Sequence, residues 1–121
     1  MNYLSILLLK ICIKMAFVYL LGDSGQDNLY KIGVTRGKIE KRIKQLQTGN
    51  GNEIFLVNSY ETKYPFFMER LLHLQYFPQQ KLNEWFELRD EDVLGFKQSC
   101  KVIEENAKAL EENPFATKIL K

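Results

Sequence analysis

Apolar residues along the chain switch between two periods, and the switches mark the elements. Residues 16–21 form a short β-rich apolar run, and residues 22–28 (Gly-Asp-Ser-Gly-Gln-Asp-Asn) are dense in turn formers. Residues 29–34 form a second short run that ends near Gly33. Two such runs around a polar loop predict an antiparallel hairpin. From 37 to 48 the period lengthens. Ile39, Ile43 and Leu46 fall at i, i+4 and i+7, one buried stripe of a helix, with Lys38, Lys41 and Lys44 away from it. Gly49-Asn50-Gly51-Asn52 stops that helix. Residues 53–60 predict a third strand, with Ile54, Leu56 and Asn58 on one face and Phe55, Val57 and Ser59 on the other.

Pro65 suits the first turn of a second helix, where its missing N–H costs nothing. Phe66, Phe67, Leu71, Leu72 and Leu74 make that helix largely buried, and it ends before Pro78. Residues 83–88 read as a short extended segment or a tight turn, with Trp85 and Phe86 as aromatic anchors. A last helix is expected over 90–112, with Val93, Phe96, Val102, Ile103 and Leu110 as its apolar members, until Asn113-Pro114 breaks it. The order β-β-α-β-α-α predicts an α+β fold: a small antiparallel three-stranded sheet flanked by helices. The expected domain is 15–112, preceded by a leader or extra segment at 1–14 and followed by a loose tail at 113–121.

Composition narrows the class. A chain of 121 residues holds one core, and 45% apolar with 26% charged residues is ordinary for a globular domain. The formal charge of +2 does not identify a nucleic-acid binder. Its distribution is more telling. Between Lys31 and Lys44 stand Lys31, Arg36, Lys38, Lys41, Arg42 and Lys44, against the single acid Glu40. Such a patch favours a phosphate backbone. Cys12, Cys100 and His73 have no metal-ligand spacing, which excludes a structural zinc site. Two distant cysteines are no disulfide framework either, so an intracellular, reducing compartment is expected. Lys10 and Lys14 interrupt the apolar stretch at the N-terminus, so a membrane span is not expected there.

No dinucleotide or P-loop glycine spacing occurs, and no nucleophile motif surrounds a serine. No small-molecule cofactor is therefore expected. What stands out is an ordered set: Tyr19 in the first strand, Tyr30-Lys31-Ile32-Gly33 in the second, Arg42 on the first helix, and Glu69 on the second with His73 one turn later. Each has a plain alternative. Strand tyrosines usually pack, and an arginine stem can lie along a core edge. A lone histidine is usually a satisfied core-edge residue, and lysines on a helix face are usually just solvated. Glu69 is the most informative, because a carboxylate among Phe66, Phe67, Met68, Leu71 and Leu72 needs a partner or a function. Together the set can serve phosphodiester hydrolysis. An arginine offsets charge on the phosphorane-like transition state, a carboxylate can hold one Mg²⁺, and a tyrosine whose pKa is lowered by nearby cations can help deprotonate water.

Over residues 16–88 the chain resembles the GIY-YIG nucleases. Phe17-Val18-Tyr19 stands where the family's first motif ends in tyrosine, and Tyr30-Lys31-Ile32-Gly33 where the second ends in Ile-Gly. Lys41-Arg42 follows on a helix, and Glu69 fits the metal-binding glutamate of the next one. Glu69-xxx-His73 followed by Glu84-Trp85-Phe86 looks like a compact branch found in phages, large DNA viruses, bacteria and fungi, often described as DNA-binding. The resemblance implies that Tyr19 orients or deprotonates water, Arg42 holds the scissile phosphate and Glu69 binds Mg²⁺. Phe17 replaces a usual glycine, and Lys31 stands at the usual tyrosine position of the second motif. Since neighbouring strand residues face opposite ways, only one of Tyr30 and Lys31 can enter a site. Asn83 is a candidate for the family's late asparagine. The leading expectation is a Mg²⁺-dependent DNA endonuclease. The alternatives are a DNA-binding module with a degenerate site, using Lys38, Lys41 and Lys44, and a protein-interaction domain built on the last helix. High DNA specificity would call for a dimer or a partner protein.

Overall fold

The computed structural model describes residues 15–115 and residue 120. The expected leader and most of the expected tail lie outside them. β1 (Ala16–Asp23) is the middle of the architecture, hydrogen-bonded to β2 (Gln26–Thr35) on one side and β3 (Ile54–Thr62) on the other. Helices cover both of its faces, so it is buried almost end to end, which is why it reads as a continuous apolar run rather than an alternating one. Val18 and Leu20 face a core built with α2 (Pro65–Gln75) and the last helix. Tyr19 and Leu21 face the other way, toward Ile43 and Leu46 of α1 (Ile39–Gln47). The predicted stripe on α1 is thus the one that packs.

The sheet has five antiparallel strands in the order β3-β1-β2-β5-β4, not the three expected. The added pair is a hairpin of β4 (Gln80–Leu82) and β5 (Trp85–Glu87), laid along β2. Three residues are too few to show an alternating pattern, and β4 is exposed throughout, so neither strand has a hydrophobic signature. Backbone pairing to β2 and the burial of Phe86 fix them instead. Asn83 makes the turn, with a left-handed φ of 53° that asparagine tolerates better than most residues. Both halves of the expectation for 83–88, extended segment and tight turn, are present.

Three further boundaries differ. The polar residues after β1 do not form a long loop. The hairpin continues through them, β2 starts at Gln26, and Asp23 Oδ1 accepts the Gly25 N–H at 2.8 Å in the tight turn. In β3 an extra residue at Val57 shifts the register between Leu20 and Leu21, so Ser59 lies opposite Tyr19 and on its face, with Ile54 and Leu56. Strict alternation had placed Ser59 opposite them. The last helix is two: α3 (Asp90–Leu94) and α4 (Phe96–Glu111), separated at Gly95.

α4 turns Phe96, Cys100, Ile103 and Ala107 into the core. Along the segment expected as one last helix, Val102 of α4 and Leu94 of α3 are exposed, at 45% and 85%. The Tyr60 hydroxyl donates to Glu104, and the Tyr64 hydroxyl to Glu111 at 2.6 Å, so two phenols fasten α4 near β3. No helix among the described residues is long and apolar enough to cross a membrane.

Candidate active site

The register of β1 against β2 settles which second-motif residue shares the face of Tyr19. Tyr19 pairs with Gly33, and Lys31, two residues earlier, lies on that same face. Tyr30 points the other way, against the main core and opposite Phe86. Lys31 therefore occupies the place that the resemblance reserves for tyrosine. Its side chain is only 11% exposed. Its ammonium is held 2.8 Å from Glu84 Oε2 and lies 5.5 Å from the centre of the Trp85 ring.

Gly33 is required by the Tyr19 ring. A Cβ there would stand 2.5 Å from the Tyr19 hydroxyl and 2.7 Å from Cζ. The ring is 1% exposed and has little room to retreat. Gly33→Ala is expected to destabilise the domain by about 1–3 kcal/mol, as overpacking does, and to push the hydroxyl off its partner. The midpoint of urea unfolding measures the first effect. An unchanged midpoint would mean that the ring swings aside freely.

That partner is Arg42, whose Nε–H donates to the Tyr19 hydroxyl at 3.4 Å. A second N–H of the guanidinium reaches Gln45 Oε1 at 3.4 Å. Both bonds are long, and they aim the fork without saturating its donors. Burial raises the Tyr19 pKa, and the Arg42 bond and charge only partly oppose it. Glu84 and Glu69 add to the rise. The sequence suggested a lowered value, which would suit a base; the buried phenol instead stays protonated and suits orientation of a water.

α2 packs on the opposite face of the sheet, through Phe67, Met68 and Leu72. Its flank bearing Glu69 and His73 lies along β2 where β5 has ended, since that pairing stops at Lys31–Trp85. His73 Nε2 donates to the Ile32 carbonyl at 2.9 Å, taking an acceptor that the strand ladder leaves open. A carbonyl cannot donate, so Nε2 carries the proton. The ring also tilts against Phe86 at 5.1 Å. His73 thereby fixes α2 against the strand edge. Glu69, one turn earlier, is partly buried, and no hydrogen bond or ion pair to its carboxylate occurs among the described residues. Burial first, then the charge of Glu84, raises its pKa; His73 and Lys31 oppose the rise. Tyr19, Lys31, Glu69 and Glu84 thus share one electrostatic neighbourhood, with Arg42 bonded into it.

Among the described residues no group of three or more His, Cys, Asp or Glu could enclose a metal ion. A fully protein-ligated cation does not fit. A Mg²⁺ that keeps most of its waters needs only one or two carboxylates, and the unpartnered Glu69 beside Glu84 fits that demand.

Lys41 and Lys44 are exposed on α1, the helix that carries Arg42, and Lys38 is exposed at its N-cap. Asn83 sits at the tip of the β4–β5 turn, where its carbonyl accepts from Gln80. Its backbone conformation accounts for the asparagine. Glu84, named in the sequence only within the Glu84-Trp85-Phe86 pattern, was given no role at the site; its pairing with Lys31 depends on a hairpin too short to foresee.

The residue pattern of the T5orf172 domain matches residues 16–103, well over half of the chain. No curated protein and no solved structure matches it. The chain belongs to the T5orf172 domain family, within the GIY-YIG-like, nuclease-like superfamily.

Proposed function

We propose that this domain is a metal-dependent endonuclease that hydrolyses DNA phosphodiester bonds. The observation that carries the reading is the Arg42 guanidinium bonded to the buried Tyr19 hydroxyl, with Lys31 on the same face and Glu69 within electrostatic reach. Membership of a nuclease-like family supports it, and so does DNA as a partner.

Arg42 and Lys31 supply positive charge where the pentavalent phosphorus gathers negative charge. The protonated Tyr19 hydroxyl, accepting from Arg42, can hold an attacking water in line by a hydrogen bond, the water's proton passing to a phosphate oxygen or bulk solvent as the P–O bond forms. Glu69 supplies the metal-holding carboxylate, with Glu84 dividing its charge between that site and Lys31. Mg²⁺, when bound, polarises the phosphate and stabilises the leaving oxygen. His73 holds α2, and so Glu69, at the edge of β2.

Supercoiled plasmid incubated with the protein and Mg²⁺ should be converted to nicked circles, and a chelator should stop the reaction. Absence of nicking with Mg²⁺, Mn²⁺ and Ca²⁺ alike would defeat the enzyme reading. A second reading, DNA binding by a degenerate site, is favoured by one observation: Lys31, in the tyrosine position, is tied to Glu84. It predicts retarded DNA without cleavage. Both readings share one result. Replacing Lys38, Lys41 and Lys44 by alanine should flatten the log-affinity against log-salt slope by about 2–3, near 0.9 per lost phosphate contact. A gel-shift series over ionic strength checks it, and an unchanged slope would remove that helix face from the interface.

A further inference from the structure

The face that carries Tyr19 and Lys31 continues past Trp85 into a cleft of about 570 Å³ between the β4–β5 hairpin, the β1–β2 turn and the segment after α1. That size falls within the ~300–1,000 Å³ range of clefts that enclose small organic ligands. α1 covers only the β1–β3 side of this face, so the β2-β5-β4 side stands open.

The lining differs from a phosphate seat. Its one cation, Lys81, is already paired with Glu87 at 2.9 Å, and Asp23 and Asp27 add two further carboxylates. A phosphate would be repelled here and attracted to the Lys31–Arg42 end. The apolar part is Leu29, Leu82 and the flank of Trp85. Leu82 is 67% exposed on its three-residue edge strand. Gln26 and Asn50 add side-chain amides. Flat apolar walls with acceptor-rich polar groups suit an uncharged planar ring whose edge carries N–H donors.

We propose that this cleft holds an unstacked nucleobase of the DNA strand whose phosphate lies at the Lys31–Arg42 end, with Trp85 as the bridge between the two. This rests on the reading of that end as phosphate-binding. The base stacks against Trp85 and Leu82, and amino or imino groups on its edge donate to the carboxylates. The domain then prefers single-stranded, branched or locally opened DNA to an intact duplex, in which the base would first have to leave the stack.

Trp85 is the only tryptophan in the chain, so the emission reports on this one ring, and the abasic strand separates base stacking on it from phosphate binding beside Lys31. The full chain is titrated with a short single-stranded DNA, with the same strand carrying one abasic position, with the duplex, and with free guanosine. Quenching by the single strand and by guanosine is expected, with affinity for the abasic strand and for a Leu82→Glu variant lower by about tenfold or more. Leu82→Glu lies outside the phosphate end, and its thermal melt shows whether it folds. DNA that binds or is nicked with no change in Trp85 emission overturns this proposal and leaves the nuclease reading standing. Guanosine quenching without any nicking does the reverse. Equal quenching by the abasic strand and by Leu82→Glu also overturns it.

Discussion

Glu69→Gln is expected to bind DNA at least as well as the parent, to nick it on the order of a hundredfold more slowly, and to melt at a higher temperature. All three follow from removing the carboxylate's charge. Burial and the neighbouring Glu84 raise the Glu69 pKa, so its ionised form is costly in the folded state. Between the ordinary value and the raised one the native protein binds more protons than the unfolded chain does. The contribution of this residue to stability therefore falls as pH rises through that window. Glutamine fills the same volume without charge and escapes that loss. It also removes one negative charge from beside a phosphate. What it lacks is the anionic oxygen for a cation. In the parent, nicking should begin to fail on the acid side at a higher pH than an ordinary glutamate would dictate. Plasmid nicking across pH, gel shifts in chelator and thermal melts check the three parts. A variant that nicks as fast as the parent would remove Glu69 from the chemistry.

Phe86→Ala should lower stability by about 3–5 kcal/mol, as full truncation of a buried aromatic does. That is a large share of the roughly 5–15 kcal/mol that holds such a domain together. Phe86 is completely buried and belongs to the strand that pairs with β2. Its ring meets His73 at 5.1 Å and Tyr76 at 6.4 Å. The cavity would therefore open beneath the histidine that holds α2 to Ile32. The melting temperature should drop on the order of 10–20 °C. Nicking should weaken even below the melt, because Glu69 rides on the same helix. A loss below about 1 kcal/mol would show that the hairpin packs loosely, against the burial seen for this ring.

Much of this arrangement could be read before any coordinates. The Ile39, Ile43 and Leu46 stripe places α1 correctly because a 3.6-residue period over two turns has few competing explanations. Pro65 marks the start of α2 for a similarly local reason. The hairpin at 80–87 was not legible as two strands, since its stability lies in backbone bonds to β2 and one buried ring. The bulge in β3 escaped notice because an inserted residue leaves composition unchanged while exchanging faces beyond it. Tyr30 and Lys31 were indistinguishable until the Tyr19–Gly33 pairing fixed which face was which. The environment of Tyr19 was misjudged for a different reason. A nearby arginine can be guessed from sequence, but the depth of burial that outweighs it cannot.

Placing β3 at the rim of the sheet has a consequence for how the domain behaves in company. Nine residues at a rim, Phe55 and Leu56 among them at 43% and 44% exposure, would template pairing with another chain. Two of its amides are already capped by side-chain oxygens, Ile54 by Gln47 and Ser59 by Asn58, each at 2.8 Å. The bulge bends the same stretch. What would otherwise invite self-association is stitched at intervals, so crowding along a nucleic-acid lattice need not seed fibrils.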